Sequence, residues 1–306
     1  MSRMKTNAEV LLFTAIMTAA AAVSAAGPVS VTPIDVPGAT DYFVSGINDV
    51  GFVVGSSSAD GGNTFTGFIR SPVGGMTTGL LDPNDVDVFT VLHSINDRGV
   101  IAGFYSGMTV PGHGLLLTDG LFTTFDIPGA AGGTALRGIN NRGDLAGTFS
   151  KTAVNLNADQ FGFIVPKVGA PIIFQLPNPD ASGLVVEAIN NLRTVVGYYT
   201  APSSTLTGFM RQVDGRWIDI AVPGADSTQV YGSNNCGITA GTYSTGGTLH
   251  GFFGRPGKLQ TFDVPGAYNT HVQGINNHGQ LVGVYGANGM RHAYVTGVTP
   301  TASCAD

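Results

Sequence analysis

Residues 275–285 read Ile-Asn-Asn-His-Gly-Gln-Leu-Val-Gly-Val-Tyr, and related stretches recur along the whole chain. The first asparagine of each copy is Asn48, Asn96, Asn140, Asn190, Asn234 and Asn276. Successive asparagines are separated by 48, 44, 50, 44 and 42 residues. A repeat of this length is typical of a propeller blade, a unit of four β-strands. The 306 residues therefore contain six copies of one structural unit.

Each copy opens with a tight turn. A glycine follows the asparagine after three residues in every copy except the fourth, where Arg193 stands instead, and another glycine follows after seven residues in all six. Asparagine tolerates left-handed backbone and binds its own main chain, while glycine supplies positive φ. The short apolar runs on either side predict a β-hairpin. We expect the second glycine to lie inside the second strand, where the missing side chain admits a neighbouring backbone or ring.

Two further strands complete each unit. A third strand begins near Gly67-Phe68-Ile69 in the first copy and near His292-Ala293-Tyr294 in the last. A fourth ends in a Pro-Gly-Ala turn, as in Phe125–Ala130 and Phe262–Ala267. The recurring Asp126 and Asp263 precede this turn, and Asx-type bonding to the turn backbone would explain them.

The asparagine turns and the Pro-Gly-Ala turns do not begin and end together along the chain. A Pro-Gly-Ala turn at 37–39 precedes the first asparagine, while the last copy has no fourth strand of its own. Residues 31–36 supply the missing strand, which would pair beside residues 291–295 and close the ring. We predict an all-β, six-bladed β-propeller of four-stranded blades; a β-solenoid or two β domains are the alternatives.

The repeat resembles a known family. His292-Ala293-Tyr294, His250-Gly251-Phe252 and His113-Gly114-Leu115, together with the Gly-Ile-Asn-Asn-x-Gly turn and Phe-Asp-x-Pro-Gly-Ala, are similar to the HAF family of probable extracellular repeats. The resemblance covers about residues 31–295 and implies export and repetition. It carries no common catalytic residues. Thr66, Phe161 and Thr207 replace the histidine in three copies, so this histidine is not essential to every blade.

Composition limits the partners. Only 11% of residues are charged, 43% are hydrophobic and the net charge is -6, without a basic block. The chain therefore lacks the basic surface that nucleic-acid binding requires. We expect a glycan or protein partner, no cofactor, no membrane span after signal removal and a monomer.

The two ends of the chain suggest an exported protein. Residues 1–26 have the basic start, apolar stretch and small residues of a secretory signal, and residues 27–306 would form one domain with a short C-terminal tail. A buried helix or an uncleaved anchor is the alternative. We expect an extracellular or periplasmic protein. An oxidising compartment would permit a disulfide between Cys236 and Cys304, with two separate thiols as the alternative.

No sequence motif indicates a catalytic function. Glu187 is the single glutamate after the signal, and neither a nucleophile elbow nor a phosphate-binding loop occurs. The recurring His113, His250 and His292 could bind zinc if they converged, but bonding to a neighbouring strand is the favoured interpretation. The acidic group at 82–87 could attract calcium, although a solvated loop is favoured. We assign no catalytic, cofactor or metal residues.

Two functions remain. The loops between second and third strands vary in length, and loops carry function on rigid scaffolds. We therefore predict a non-catalytic binding or surface-interaction protein that uses this variable face, which also carries the Pro-Gly-Ala connections. The alternative is a hydrolase or lyase acting on polysaccharide, which would require two close acids with perturbed pKa values on the same face.

Overall fold

The computed structural model describes residues 24–25, 29–105, 112–152, 160–298 and 304. Within these residues the chain forms strands and no helix. Six antiparallel sheets are arranged around an axis, and the first strand of each sheet contacts the first strands of its two neighbours. The all-β, six-bladed propeller predicted from the repeat is confirmed.

The strands follow the chain in regular order. A two-residue strand, β1 (Ser24–Ala25), pairs in parallel with the outer strand of blade five. The first three blades comprise β3 (Asp41–Ile47), β4 (Val53–Ser58), β5 (Thr66–Arg70) and β6 (Met76–Leu80); β7 (Thr90–Ile95), β8 (Ile101–Tyr105), β9 (His113–Thr118) and β10 (Leu121–Phe125); and β11 (Thr134–Ile139), β12 (Leu145–Ser150), β13 (Gln160–Val165) and β14 (Ile172–Phe174).

The last three blades repeat the pattern. They comprise β15 (Ser182–Ile189), β16 (Val195–Thr200), β17 (Leu206–Arg211) and β18 (Trp217–Ile220); β19 (Ser227–Ser233), β20 (Thr239–Thr245), β21 (Thr248–Arg255) and β22 (Lys258–Phe262); and β23 (Asn269–Ile275), β24 (Leu281–Ala287) and β25 (Met290–Thr296), completed by β2 (Val31–Ile34).

The N-terminal strand closes the ring. β2 pairs antiparallel with β25, with Val31 opposite Thr296 and Ile34 opposite Ala293. It thus becomes the outer strand of blade six, as the phase of the Pro-Gly-Ala turns predicts. Closure leaves no blade short of its fourth strand, which removes the free edge that an open array would expose.

Two belts of hydrogen bonds join the blades at their first turns. The side-chain amide of each repeat asparagine donates to the backbone carbonyl of the repeat asparagine in the next blade, at 3.0–3.3 Å around all six blades. The next residue, Asp or Asn, accepts from the backbone N–H of its counterpart in the preceding blade at 2.7–2.9 Å. The repeated Asn-Asx pair therefore links all six blades into a closed ring.

The glycine seven residues after each asparagine allows the first and second strands to approach. A Cβ on Gly241 would lie 2.0 Å from the carbonyl oxygen of Gln229 and 2.9 Å from the Phe252 ring. The equivalent glycines of the other blades lie equally close to a carbonyl oxygen, and all of them except Gly103 also have an aromatic side chain nearby. Phe68, Phe163, Phe209 and Phe252 are completely buried beneath these glycines and fill the space between blades.

Arg193 replaces the turn glycine of blade four without disturbing the turn. Its backbone adopts φ 58°, and its N–H donates to the Asn190 carbonyl at 3.0 Å. The guanidinium reaches across to blade three and pairs with buried Asp144 at 2.9 Å. An inter-blade ion pair thus accompanies the unfavourable left-handed conformation.

The C-terminal tail meets the ring at blade five. Cys236 lies in the first turn of that blade and is joined to Cys304 by a disulfide, with the Cα atoms 5.5 Å apart. The predicted signal sequence lies outside the described residues except for Ser24–Ala25. The part of the chain that the structure describes has no helix long and apolar enough to cross a membrane.

Candidate functional site

Every inner strand carries a β-bulge at the same place, three residues before the repeat asparagine. In blade one, Val44 pairs with Gly55 and Gly46 pairs with Val54, so Ser45 is left out of the ladder. A bulge of this kind redirects the side chain of the extra residue. The same shift occurs in all six blades, and the bulged residues are Ser45, His93, Arg137, Glu187, Tyr231 and Gln273.

The six bulged residues line one cavity on the propeller axis. This axial cavity has a volume of about 250 Å³, and its walls are completed by Phe43, Phe89, Val91, Phe104 and Tyr198. It lies toward the starts of the inner strands, the face that carries the blade connections and the variable loops. The opposite end of the axis is surrounded by the two asparagine belts. The axial cavity is therefore a pocket on the face predicted to bind.

An ion-paired cluster spans one side of the axial cavity. The Glu187 carboxylate, 2% exposed, lies 2.9 Å from Arg137 Nη1 through Oε1 and 3.0 Å from His93 Nε2 through Oε2. Burial alone would raise the pKa of Glu187, but the charges of Arg137 and His93 outweigh it and lower this pKa to about 2. His93 Nδ1 lies 2.9 Å from the Arg137 carbonyl, which fixes the ring. Glu187 is thus a permanent anion at neutral pH, bound to its partners.

Polar atoms of the same side chains have unused hydrogen-bonding capacity. Arg137 Nε and Gln273 Oε1 are buried and have no hydrogen-bond partner among the described residues. Glu187 Oε2 has His93 Nε2 as its neighbour at 3.0 Å. Buried polar atoms are almost always bonded, so unpaired ones need a reason. Two such atoms around one cavity, the Arg137 donor and the Gln273 acceptor, indicate a place for a ligand that both donates and accepts.

Aromatic rings form another wall, and the longest described loop between second and third strands positions them. Phe65, at the end of this loop in blade one, packs 5.1 Å from Phe43 and 5.3 Å from Phe89, measured between ring centroids. Asp60 organises the loop by accepting from Ser58 Oγ at 2.6 Å and Thr64 Oγ1 at 2.8 Å. The loop is therefore a support for the axial cavity.

Two tyrosines on the far wall remain protonated. Tyr198 and Tyr231 meet edge to face with ring centroids 5.9 Å apart. Burial, reinforced by the Glu187 charge, raises the pKa of Tyr198 to about 12 and raises that of Tyr231 further. Both phenols are neutral at physiological pH and can donate a hydrogen bond. The axial cavity therefore offers aromatic faces, neutral donors, acceptors and one compensated ion cluster.

The sequence motifs predict no catalytic, cofactor or metal residues, and they do not single out this group. In the sequence Glu187 stands out only as an isolated glutamate. A signal did exist: the residue three before the asparagine is Ser, His, Arg, Glu, Tyr and Gln in successive copies, although its neighbours repeat. A position that varies completely within a regular repeat is not constrained by the fold that the repeats share.

The recurring histidines do not converge. His113 lies 2.7 Å from Asp126 and His250 lies 2.8 Å from Asp263, each pair within its own blade. The rings of His113, His250 and His292 stack on Tyr105, Tyr243 and Tyr285 at 5.1–5.2 Å. His113 and His250 thus bond at the end of the next strand of their own blade, and the described contact of His292 is the ring stacking on Tyr285. The carboxylates before the Pro-Gly turn have a different partner from the one expected, since they bind imidazole.

The acidic connection at 82–87 is not the solvated loop that its composition suggests. Asp82 is 1% exposed and Asp85 is 7% exposed. Asp85 Oδ2 accepts from Phe89 N at 2.8 Å and Thr90 Oγ1 at 2.6 Å, whereas Asp85 Oδ1 and Asp82 Oδ2 are buried and have no hydrogen-bond partner among the described residues. In the described part of the chain, no group of three or more His, Cys, Asp or Glu is arranged to hold a metal ion.

No protein-family model matches the chain, and no curated protein matches it. Among solved structures, the chain is similar to Trypanosoma rangeli sialidase in complex with sialic acid, with 7% identity, a TM-score of 0.53, and coverage of 91% of this chain and 60% of that one. A streptogramin B lyase has 12% identity and a TM-score of 0.49, with 87% and 97% covered. Aleuria aurantia lectin has 9% identity and a TM-score of 0.48, with 90% and 99% covered. At such identities the similarity shows the propeller fold alone.

Proposed function

We propose that this chain is an exported, non-catalytic binding protein whose ligand occupies the axial cavity. One observation carries the proposal: Arg137 Nε and Gln273 Oε1 are buried, lack hydrogen bonds among the described residues and belong to one cavity. A bound molecule with hydroxyl or amide groups would satisfy both, because such groups both donate and accept.

The charge state of the cluster favours binding over hydrolysis or elimination. A general acid needs a pKa near the working pH, yet the pKa of Glu187 is about 2. Its carboxylate is also bound to Arg137 through Oε1, which stabilises the charged form. The cluster therefore suits recognition of a polar ligand by a fixed set of charges.

Export is part of the same proposal. The signal-like residues 1–26, the paired Cys236 and Cys304, and the resemblance to HAF extracellular repeats support an oxidising, non-cytoplasmic location. Mass spectrometry of the protein from its native host tests this. A mature chain that lacks the first 25 or 26 residues supports export, and a full-length cytoplasmic chain contradicts it.

Binding is tested by screening the purified chain against neutral saccharides and small polar metabolites by thermal shift and calorimetry. Gln273→Met removes an unpartnered acceptor and no hydrogen bond among the described residues, so the variant should fold. We expect it to weaken a hit about 3- to 10-fold, the effect of one hydrogen bond. Gln260→Met, on the outer strand of blade five, is the matched control and should bind normally.

Two results would overturn the proposal. Hits that Gln273→Met leaves unchanged would place the ligand elsewhere. Turnover of a polysaccharide by the wild-type chain that disappears in either Gln273→Met or His93→Gln would make the axial cavity an active site. The second variant guards against a Gln273 change too mild to affect a reaction.

A further inference from the structure

Two more cavities continue from the axial cavity across the same face of the propeller. A middle cavity of about 200 Å³ lies at the starts of the inner strands of blades three and four and is lined in part by Phe104, Arg137, Phe149, Gln160 and Leu184. An outer cavity of about 230 Å³ lies at the connection from β14 to β15 and is lined in part by Gln160, Gln175, Asn178, Ser182 and Leu184.

The three cavities share their boundary residues. Phe104 and Arg137 line both the axial and the middle cavity, and Gln160 and Leu184 line both the middle and the outer cavity. Each cavity alone is smaller than the roughly 300 Å³ at which pockets for drug-sized ligands begin. The three cavities follow one another from the axis to the edge of blade three, and this row of cavities is called the groove below. A row of small compartments suits a chain of small units.

Unpartnered atoms mark both junctions of the groove. Arg137 Nε stands at the first junction, and Gln160 Oε1, also buried, stands at the second. Neither atom has a hydrogen-bond partner in the described ranges of the chain. A ligand that ended in the axial cavity would leave Gln160 unsatisfied, whereas one that continued outward would reach it.

The described lining of the groove outside the axial cavity is almost free of charge. Among the described residues, Arg137 is the one charged residue that lines the middle cavity, and the outer cavity is lined by amides, a hydroxyl and apolar side chains. Desolvating a charged ligand there would need compensating charges that the lining does not provide. This lining suits a neutral ligand rich in hydroxyl groups, and aromatic rings are available for packing at the axial end.

We propose that the groove binds a neutral glycan chain, with its terminal sugar in the axial cavity and the following sugars in the middle and outer cavities. This inference rests on the proposed binding function and adds its ligand class and direction. A peptide fits less well, because each of its carbonyls needs a donor. Of the three unpartnered groove atoms, Gln273 Oε1 and Gln160 Oε1 are acceptors, and Arg137 Nε is the single donor.

Chain-length series test the inference directly. The full chain is titrated calorimetrically with gluco-, galacto-, manno- and xylo-oligosaccharides of one to five units. For at least one series we expect affinity to rise at least tenfold from the monosaccharide to the trisaccharide and then level off. Gln160→Met should lower trisaccharide affinity about 3- to 10-fold and leave monosaccharide affinity unchanged, whereas Gln273→Met should lower both.

The outcomes separate the two proposals. If no series binds but a small metabolite binds in a Gln273-dependent manner, the axial cavity is a binding site and the glycan groove is wrong. Equal affinity for monosaccharide and trisaccharide, or equal effects of Gln160→Met on both, would also refute the groove. Competition by a peptide library that requires Gln160 would assign the groove to a peptide instead. If nothing binds in a Gln273-dependent manner, the proposed function itself fails.

Discussion

Asn276 donates its side-chain amide to the backbone carbonyl of Asn48 at 3.0 Å, across 228 positions of sequence. This bond is the link in the asparagine belt that joins the last blade to the first. The same Asn276 accepts at Oδ1 from the N–H groups of His278 and Gln280, which holds its own turn. One side chain therefore shapes a local turn and closes the ring.

Asn276→Ala should destabilise the protein by about 2–4 kcal/mol, because each hydrogen bond lost is worth about 1 kcal/mol and the Asn48 carbonyl loses a buried partner. Urea unfolding followed by circular dichroism measures the change. Asn84→Ala, at an exposed asparagine in the connection before blade two, is the control and should change stability by less than about 0.5 kcal/mol. Equal effects of the two changes would show that the belt contributes nothing to stability.

Gly241→Ala should prevent folding or cost more than about 3 kcal/mol, since overpacking against side chains alone costs about 1–3 kcal/mol and backbone cannot move aside as readily. The new Cβ would lie 2.0 Å from the Gln229 carbonyl oxygen. Gly75→Ala provides the matched control because the nearest atom there is the flexible Ser71 Oγ at 3.1 Å. Soluble yield and Tm are the readouts. A Gly241→Ala protein with normal yield and Tm would disprove the close approach.

Positions that serve local geometry could be predicted from the sequence. The asparagine turn and the glycine of the second strand impose the same requirement in each blade, so their spacing predicts the fold, and the offset of the Pro-Gly-Ala turns predicts its closure. The axial residues obey no such rule. Ser45 and Gln273 share a cavity only because the ring closes, and the bulges that direct them leave no mark in the spacing.

The burial of the acidic connection at 82–87 could not be predicted from the sequence either. Its composition favours solvent, but Asp85 becomes buried because Phe89 N and Thr90 Oγ1 bind its carboxylate. Such compensation depends on where the backbone turns in three dimensions, and residue type alone does not show it. The same limitation applies to Glu187, whose partners His93 and Arg137 come from two other blades.

Cys236→Ser should lower stability by about 2–4 kcal/mol, because the disulfide with Cys304 restricts the unfolded chain across a separation of 68 residues. The double change Cys236→Ser/Cys304→Ser should have the same effect as the single one, whereas adding reductant to either variant should have none. Alkylation under non-reducing conditions followed by mass spectrometry counts free thiols. Two alkylated cysteines in the native, oxidised protein would contradict the pairing.

Glu187→Gln should destabilise the protein by about 3–5 kcal/mol, since it leaves the Arg137 guanidinium buried without its counter-ion. The double variant Arg137→Met/Glu187→Met is the control. It removes both charges and keeps apolar volume, so it should be more stable than Glu187→Gln. If the double variant is the less stable of the two, the cluster contributes net stability of its own.

The ion cluster also predicts how stability depends on pH. Folding lowers the pKa of Glu187 from 4.5 to about 2, since the charges of Arg137 and His93 outweigh burial. Below pH 4.5 the unfolded chain takes up a proton at Glu187 that the folded chain does not, so the stabilisation present at higher pH declines and is lost as pH falls through about 2. Urea unfolding of wild type and Glu187→Gln at several pH values isolates this group from other acids such as Asp144. We expect the difference in unfolding free energy to be constant at neutral pH and to shrink steadily through this acidic range. A difference that stays constant there would mean that the Glu187 carboxylate titrates alike in the folded and unfolded chain.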